Sequence, residues 1–211
     1  MPKLKKPRET TSPPAASRLD WIVAGLALVG LAVAGYLAAL KLGGNQAFLC
    51  RDGSGCDIVQ ASRYSLLAGV PTALWGVGIY AAILGLTLVP HTVRRWQAAF
   101  MLASGAVAFS IYLTYLSLFV IGATCPYCLA SGAISLLILV AMVVRRPVTQ
   151  GRAARAYSLK RLAGLGITAG VTTVLFGAFI FAADFSTPAG YQTALAEHLK
   201  KNNVIFYGAY W

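Results

Sequence analysis

The sequence predicts an all-α polytopic membrane protein with five transmembrane helices. Three observations carry this. The 211 residues are 58% hydrophobic and only 11% charged, against roughly a quarter charged in soluble domains. Five apolar runs, at 21–42, 70–89, 97–123, 125–144 and 162–183, hold a single charge, Lys41 near the end of the first. Each is close to the ~20 residues that cross a hydrocarbon core as a helix. The basic residues fall between the runs and are unevenly shared between the two sides.

Residues 1–18 carry Lys3, Lys5, Lys6, Arg8 and Arg18 among four prolines. Such a composition buries no core and predicts a disordered basic tail. It is not the start of a cleaved leader, because the run that follows is too long and lacks a small-residue cleavage site. With that tail in the cytoplasm, the inner side holds Arg94, Arg95, Arg145, Arg146, Arg152, Arg155, Lys160 and Arg161 as well, thirteen of the eighteen basic residues. Positive residues stay inside. The net charge of +12 therefore reads as topology in the inner membrane, with membrane lipid as the surrounding partner and no nucleic acid.

The loops follow in order. In the outer loop 43–69, Cys50-Arg51-Asp52-Gly53-Ser54-Gly55-Cys56 is a flexible bracket, since its glycines and serine resist regular structure. Asp57 is expected to cap a short interfacial helix with Ile58, Val59, Leu66 and Leu67 on its apolar side. Gly122-Ala123-Thr124 leaves only a tight turn between the third and fourth runs. Beyond 185, Tyr191–Lys201 has helical composition and Val204–Tyr207 reads as a strand without a partner. An unpaired strand exposes backbone donors and acceptors, so 186–211 is expected to open a further domain.

Four cysteines form two pairs, Cys50/Cys56 and Cys125/Cys128, and both fall on the outer side, where disulfide chemistry persists. The two histidines, His91 and His198, lie near neither pair, so no zinc pattern is completed. Cys125-Pro126-Tyr127-Cys128 heads a charge-free span rather than a soluble βαβ unit. Thr124 is expected to cap that helix, with Pro126 in its first turn. The helix N-terminus then favours a Cys125 thiolate, the form that attacks disulfides and quinones. Cys128 lies one turn deeper. Such a dithiol meets protein thiols from the water and a lipid-soluble two-electron oxidant, a quinone, from the membrane. Cys50/Cys56 is either a carrier to this pair or a static loop-closing disulfide. The static choice makes the chain a membrane scaffold rather than an enzyme. A transporter is disfavoured because the spans carry no central charge.

The chain resembles the vitamin K epoxide reductase family in its bacterial form. The residues that carry the resemblance are Cys50…Cys56-Asp57, Ser62-Arg63, Val70-Pro71 with Trp75-Gly76 beyond, and Cys125-x-x-Cys128. They lie within a membrane domain at 19–185. The resemblance implies a four-helix bundle around a quinone site plus one peripheral helix. It also implies a relay: a thioredoxin-like partner, free or fused, attacks through Cys50, Cys56 exchanges with Cys125, and Cys128 faces a ubiquinone- or menaquinone-type acceptor. This supports disulfide formation in exported proteins, with the N-terminus cytoplasmic and both pairs and the C-terminus periplasmic. Phe109 and Ser117 enter the quinone site by family position. Tyr112, one turn from Phe109, and Ser62 join them as candidates. Leu129-Ala130-Ser131-Gly132-Ala133 lacks the tyrosine that vertebrate members carry there, which favours a respiratory quinone over vitamin K epoxide. Phe206–Trp211 resembles the approach to the Cys-x-x-Cys of a fused thioredoxin-like domain, incomplete here.

Overall fold

The computed structural model covers residues 18–43, 54–89, 92–144 and 159–184. Cys50, the basic tail before Arg18 and the expected further domain lie outside the described residues. Six helices follow in order: α1 Arg18–Gly43, α2 Gly55–Ala61, α3 Thr72–Leu88, α4 Val93–Tyr115, α5 Pro126–Val144 and α6 Leu159–Asp184. α4 runs on through a π-helical turn, Leu116–Ile121. A small hairpin of β1 (Leu66–Leu67) and β2 (Val70–Pro71) leads into α3.

Four of these helices are long and apolar enough to cross a membrane: α1, α4 with its π turn, α5 and α6. α3 has 17 residues, or about 25 Å at the α-helical rise. That is slightly short of a ~30 Å hydrocarbon core, so the fifth expected span is a short one. α1 packs on α3 and α5, and α4 packs on α3, α5 and α6. Helices α1, α3, α4 and α5 thus close a four-membered ring, and α6 lies outside it against α4. The chain is a polytopic bundle of four helices with one at its edge.

In lipid an apolar side chain gains little by leaving hydrocarbon, so helices associate through close packing and polar bonds. One end of the bundle is packed dry, with Val23, Ala27, Ile83, Ala103 and Ile138 almost inaccessible. α6 approaches α4 through small residues: a Cβ at Gly170 would lie 3.0 Å from that of Ala108. Trp21, Ile111, Phe119, Phe176 and Phe179 are exposed and give the bundle an apolar exterior suited to acyl chains.

The segment 54–71 departs from expectation in two places. α2 is capped by Ser54, whose Oγ accepts from the Asp57 amide at 3.4 Å. Asp57 sits in the first turn, where its carboxylate faces the positive end of the helix. Leu66 and Leu67 do not extend that helix. They pair with Pro71 and Val70 across Ala68 and Gly69, whose φ values of 54° and 73° turn the chain tightly. The hairpin is held by Thr72 Oγ1, which donates to the Ser65 carbonyl at 3.2 Å, and by Trp75 Nε1, which donates to the Leu67 carbonyl at 3.3 Å. Lys41 Nζ donates to the Gln60 carbonyl, tying α2 to the end of α1.

Candidate active site

Two short segments meet at one end of the bundle. One is the start of α2 with Cys56; the other is 122–125, which ends in Cys125. Their approach depends on Gly55, because a Cβ there would stand 2.6 Å from the Thr124 carbonyl oxygen. Cys56 is disulfide-bonded, whereas Cys125 and Cys128 are thiols. The Cys125 Sγ lies 3.9 Å from the Cys56 Sγ. Both sulfurs are buried, 1% and 2% exposed, in an apolar cluster with Leu37, Leu40, Val59, Ala73 and Tyr127. Water is thereby kept from the sulfur pair, while Cys128 is accessible.

Cys125, rather than Thr124, occupies the cap of α5. Its carbonyl accepts the Leu129 amide at 3.1 Å, and its Sγ accepts the Cys128 amide at 3.4 Å. A sulfur thus does the work that Ser or Thr usually does at this position. The hydrogen bond from the Cys128 thiol, helped by the amides of Cys128 and Tyr127, outweighs burial and lowers the Cys125 pKa to about 7. Near neutral pH this cysteine is a ready nucleophile.

The approach to Cys125 is shaped by the end of α4. The π turn closes its hydrogen bonds over five residues instead of the four of an α-helix. It ends at Gly122, left-handed at φ 72°. Ser117 stitches the turn shut: its Oγ donates to the Ala123 carbonyl and its own carbonyl accepts the Ala123 amide at 3.0 Å.

Inside the ring lies a cavity of about 160 Å³, reached by Cys125 and Cys128 and walled by Phe109, Trp75 and Tyr80 among other, mostly apolar groups. Ser117 also lines it. Tyr112 does not; its ring packs 6.4 Å from that of Phe181, in a cluster with Leu67 and Leu116. Ser62 is likewise outside the lining, and its Oγ donates to the Val59 carbonyl at 2.7 Å where α2 ends. Polar wall residues that the sequence did not single out include Tyr80, Ser131 and Ser135. Two serines one turn apart on the fourth span, and a tyrosine in the middle of the second, were the available signals. An apolar slot with two sulfurs at its mouth and hydroxyls in its wall suits a flat ring bearing carbonyl oxygens. Among the described residues no three His, Cys, Asp or Glu side chains gather as a metal site would require.

The fold and site define a class: multi-pass helical membrane proteins that bring a loop disulfide against a Cys-x-x-Cys at a helix start. Residues 21–143 match the vitamin K epoxide reductase family, and the chain belongs to that family. It is also 25% identical over 205 residues to the thiol-disulfide oxidoreductase LTO1 of Arabidopsis thaliana, covering 83% of this chain and 52% of that protein. The chain thus spans about half the length of the curated relative it matches.

Proposed function

We propose that this chain is a membrane thiol:quinone oxidoreductase. Electrons pass from a thioredoxin-like thiol partner, free or fused, through Cys50/Cys56 to Cys125/Cys128 and on to a ubiquinone- or menaquinone-type acceptor. The observation that carries the proposal is the 3.9 Å between the Cys56 and Cys125 sulfurs, beside a cavity that Cys125 and Cys128 both line. The similarity to a thiol-disulfide oxidoreductase supports the same assignment.

In the forward step the Cys56 thiolate attacks Cys125 of a Cys125–Cys128 disulfide. The Cys56–Cys125 bond forms and Cys128 departs as a thiolate. Cys50 then attacks Cys56, closing the Cys50–Cys56 disulfide and releasing Cys125. The arrangement with Cys56 oxidised and Cys125 and Cys128 as thiols corresponds to the end of this step. The quinone, when bound, accepts two electrons and two protons, and the Cys125–Cys128 disulfide is restored. The lowered pKa of Cys125 favours it both as the leaving thiolate of exchange and as the nucleophile that closes on Cys128. A scaffold with two static disulfides fits less well with the 3.9 Å approach of a sulfur of one pair to a sulfur of the other.

By the charge rule, the N-terminus is cytoplasmic and both pairs lie on the periplasmic side of an inner membrane. The domain plan is a basic tail at 1–18, the membrane domain at 19–185 and the opening of a thioredoxin-like domain at 186–211. The chemistry is tested in detergent by pre-reducing the protein, removing the reductant and following the absorbance of an added ubiquinone or menaquinone analogue. Wild type and Cys50→Ser reduce the quinone and Cys128→Ser does not. Failure of wild type with both quinones, its thiols shown to be free, overturns the proposal.

A further inference from the structure

Ser65 ends the short 3₁₀ turn, Arg63–Ser65, that follows α2. Its backbone is held on both sides. The Ser65 amide donates to the Ser62 carbonyl at 3.0 Å, and the Ser65 carbonyl accepts from Thr72 Oγ1 at 3.2 Å. The residue is 9% exposed and lines the cavity that Cys125 and Cys128 share. Its Oγ is buried and has no hydrogen-bond partner among the described residues.

Other polar groups of the same wall are engaged. Ser117 Oγ donates to the Ala123 carbonyl, Thr114 Oγ1 to the Ser110 carbonyl at 2.7 Å and Trp75 Nε1 to the Leu67 carbonyl at 3.3 Å. Tyr80, Ser131 and Ser135 bond one another. Ser65 differs from all of these, because its hydroxyl still has a proton to give. A buried hydroxyl without a partner is destabilising, and an acceptor carried in by a ligand removes that cost.

Position selects the acceptor. Ser62, which holds the Ser65 amide, donates its own amide to the Val59 carbonyl at 3.2 Å, and Val59 packs in the cluster around Cys56 and Cys125. Ser65 thus meets the cavity at its cysteine end. We propose that Ser65 Oγ donates a hydrogen bond to the quinone carbonyl nearer the cysteines and so holds the ring against the dithiol. Such a bond tightens as the oxygen gains negative charge, so the hydroxyl also favours reduction at the point where the electrons arrive. This rests on the quinone assignment above and adds a binding residue to it.

The test reads binding apart from turnover. The full chain in detergent, with both pairs oxidised, is dialysed to equilibrium against a dimethylnaphthoquinone and, separately, against dimethylnaphthalene, the same rings without carbonyls. Ser65→Ala should raise Kd for the quinone roughly three- to tenfold, equivalent to about 0.7–1.4 kcal/mol. Kd for the hydrocarbon, which gains only from apolar burial, should stay within about twofold. Ser104→Ala is the matched control. Ser104 Oγ is likewise buried without a partner among the described residues, but it lies where α4 meets Gly166 of α6, outside this cavity's wall. Each variant deletes an unmatched hydroxyl, so neither should melt below wild type, yet only Ser65→Ala should bind quinone more weakly. A serine with a merely structural role would not lose affinity while keeping stability. The Ser65 inference is overturned if Ser65→Ala binds the quinone as wild type does, or if its affinities for quinone and hydrocarbon fall together. If wild type binds no quinone at all, the quinone assignment itself fails and takes the Ser65 inference with it, an outcome distinct from the first two.

Discussion

Gly55→Ala is the sharpest test of how electrons cross between the two pairs. The added methyl would sit 2.6 Å from the Thr124 carbonyl oxygen and 3.0 Å from the Thr124 nitrogen. Both obstacles are backbone, so neither can swing aside as a side chain would. Reaching an ordinary contact of 3.4 Å requires about 0.8 Å of separation, the difference between 3.4 and 2.6 Å. Cys56 is the next residue. If α2 moves as a unit, the sulfur-to-sulfur distance grows from 3.9 Å to as much as about 4.7 Å. Reactions within a preformed site lose up to ~100-fold for a misplacement near 1 Å, so inter-pair exchange should slow by about ten- to a hundredfold. The fold itself should survive, since overpacking of this kind costs about 1–3 kcal/mol. The assay uses a Cys50→Ser, Cys128→Ser background, which leaves Cys56 and Cys125 as the only thiols of the relay. The rate of Cys56–Cys125 disulfide formation under a fixed oxidant is followed by mass mapping, with and without Gly55→Ala. Equal rates in the two proteins would refute the idea that this close approach sets the exchange distance.

Two further predictions concern the sulfur and the cavity wall. Thiolate absorbance of Cys125 should rise through a midpoint near pH 7, below the ~8.5 of a free cysteine. The sign is that of a depressed pKa: nucleophilic rate is present above the midpoint and lost as pH falls through it. Cys128→Ala removes the first cause and should move the midpoint upward, and an unmoved midpoint would exclude that cause. At the back of the wall, a Cβ on Gly177 of α6 would come 2.6 Å from the Phe109 ring. Gly177→Ala should push that ring toward the cavity and raise KM for quinone several-fold, leaving Cys56–Cys125 exchange unchanged; a loss of exchange instead would place Phe109 outside the quinone wall.

What the sequence made legible was set by hydrophobic contrast. Charge-free runs of spanning length gave the helices, and basic residues between them gave the ends of each run. A Cys-x-x-Cys at the head of a run marked a dithiol where water meets lipid. Finer features turned on competition that composition does not reveal. Ser54 and Asp57 are both good caps, and only the backbone path makes Ser54 the acceptor. Leu66 and Leu67 read as the apolar side of a short helix, and only the turn at Ala68 and Gly69 makes them a strand. Phe109 and Tyr112 share a helix face by spacing, yet α6 covers that face and takes Tyr112 onto Phe181. Tyr80 was passed over because a tyrosine within an apolar run counts as apolar, and its partners are more than fifty residues away in the chain. The π turn left no trace at all, since Leu116–Ile121 is ordinary helical composition.

The sulfur cap of α5 has a thermodynamic consequence. The Cys125 sulfur accepts the Cys128 amide best as a thiolate, and loses that charge whenever it joins a disulfide. The helix start is therefore a small load carried by the reduced form alone. A cap is worth about 1 kcal/mol, which for a two-electron couple amounts to roughly 20 mV. Stabilising the reduced form raises the potential of the helix pair by that amount and so favours its reduction by the loop pair. The same sulfur that starts a helix thus biases the exchange between the two pairs.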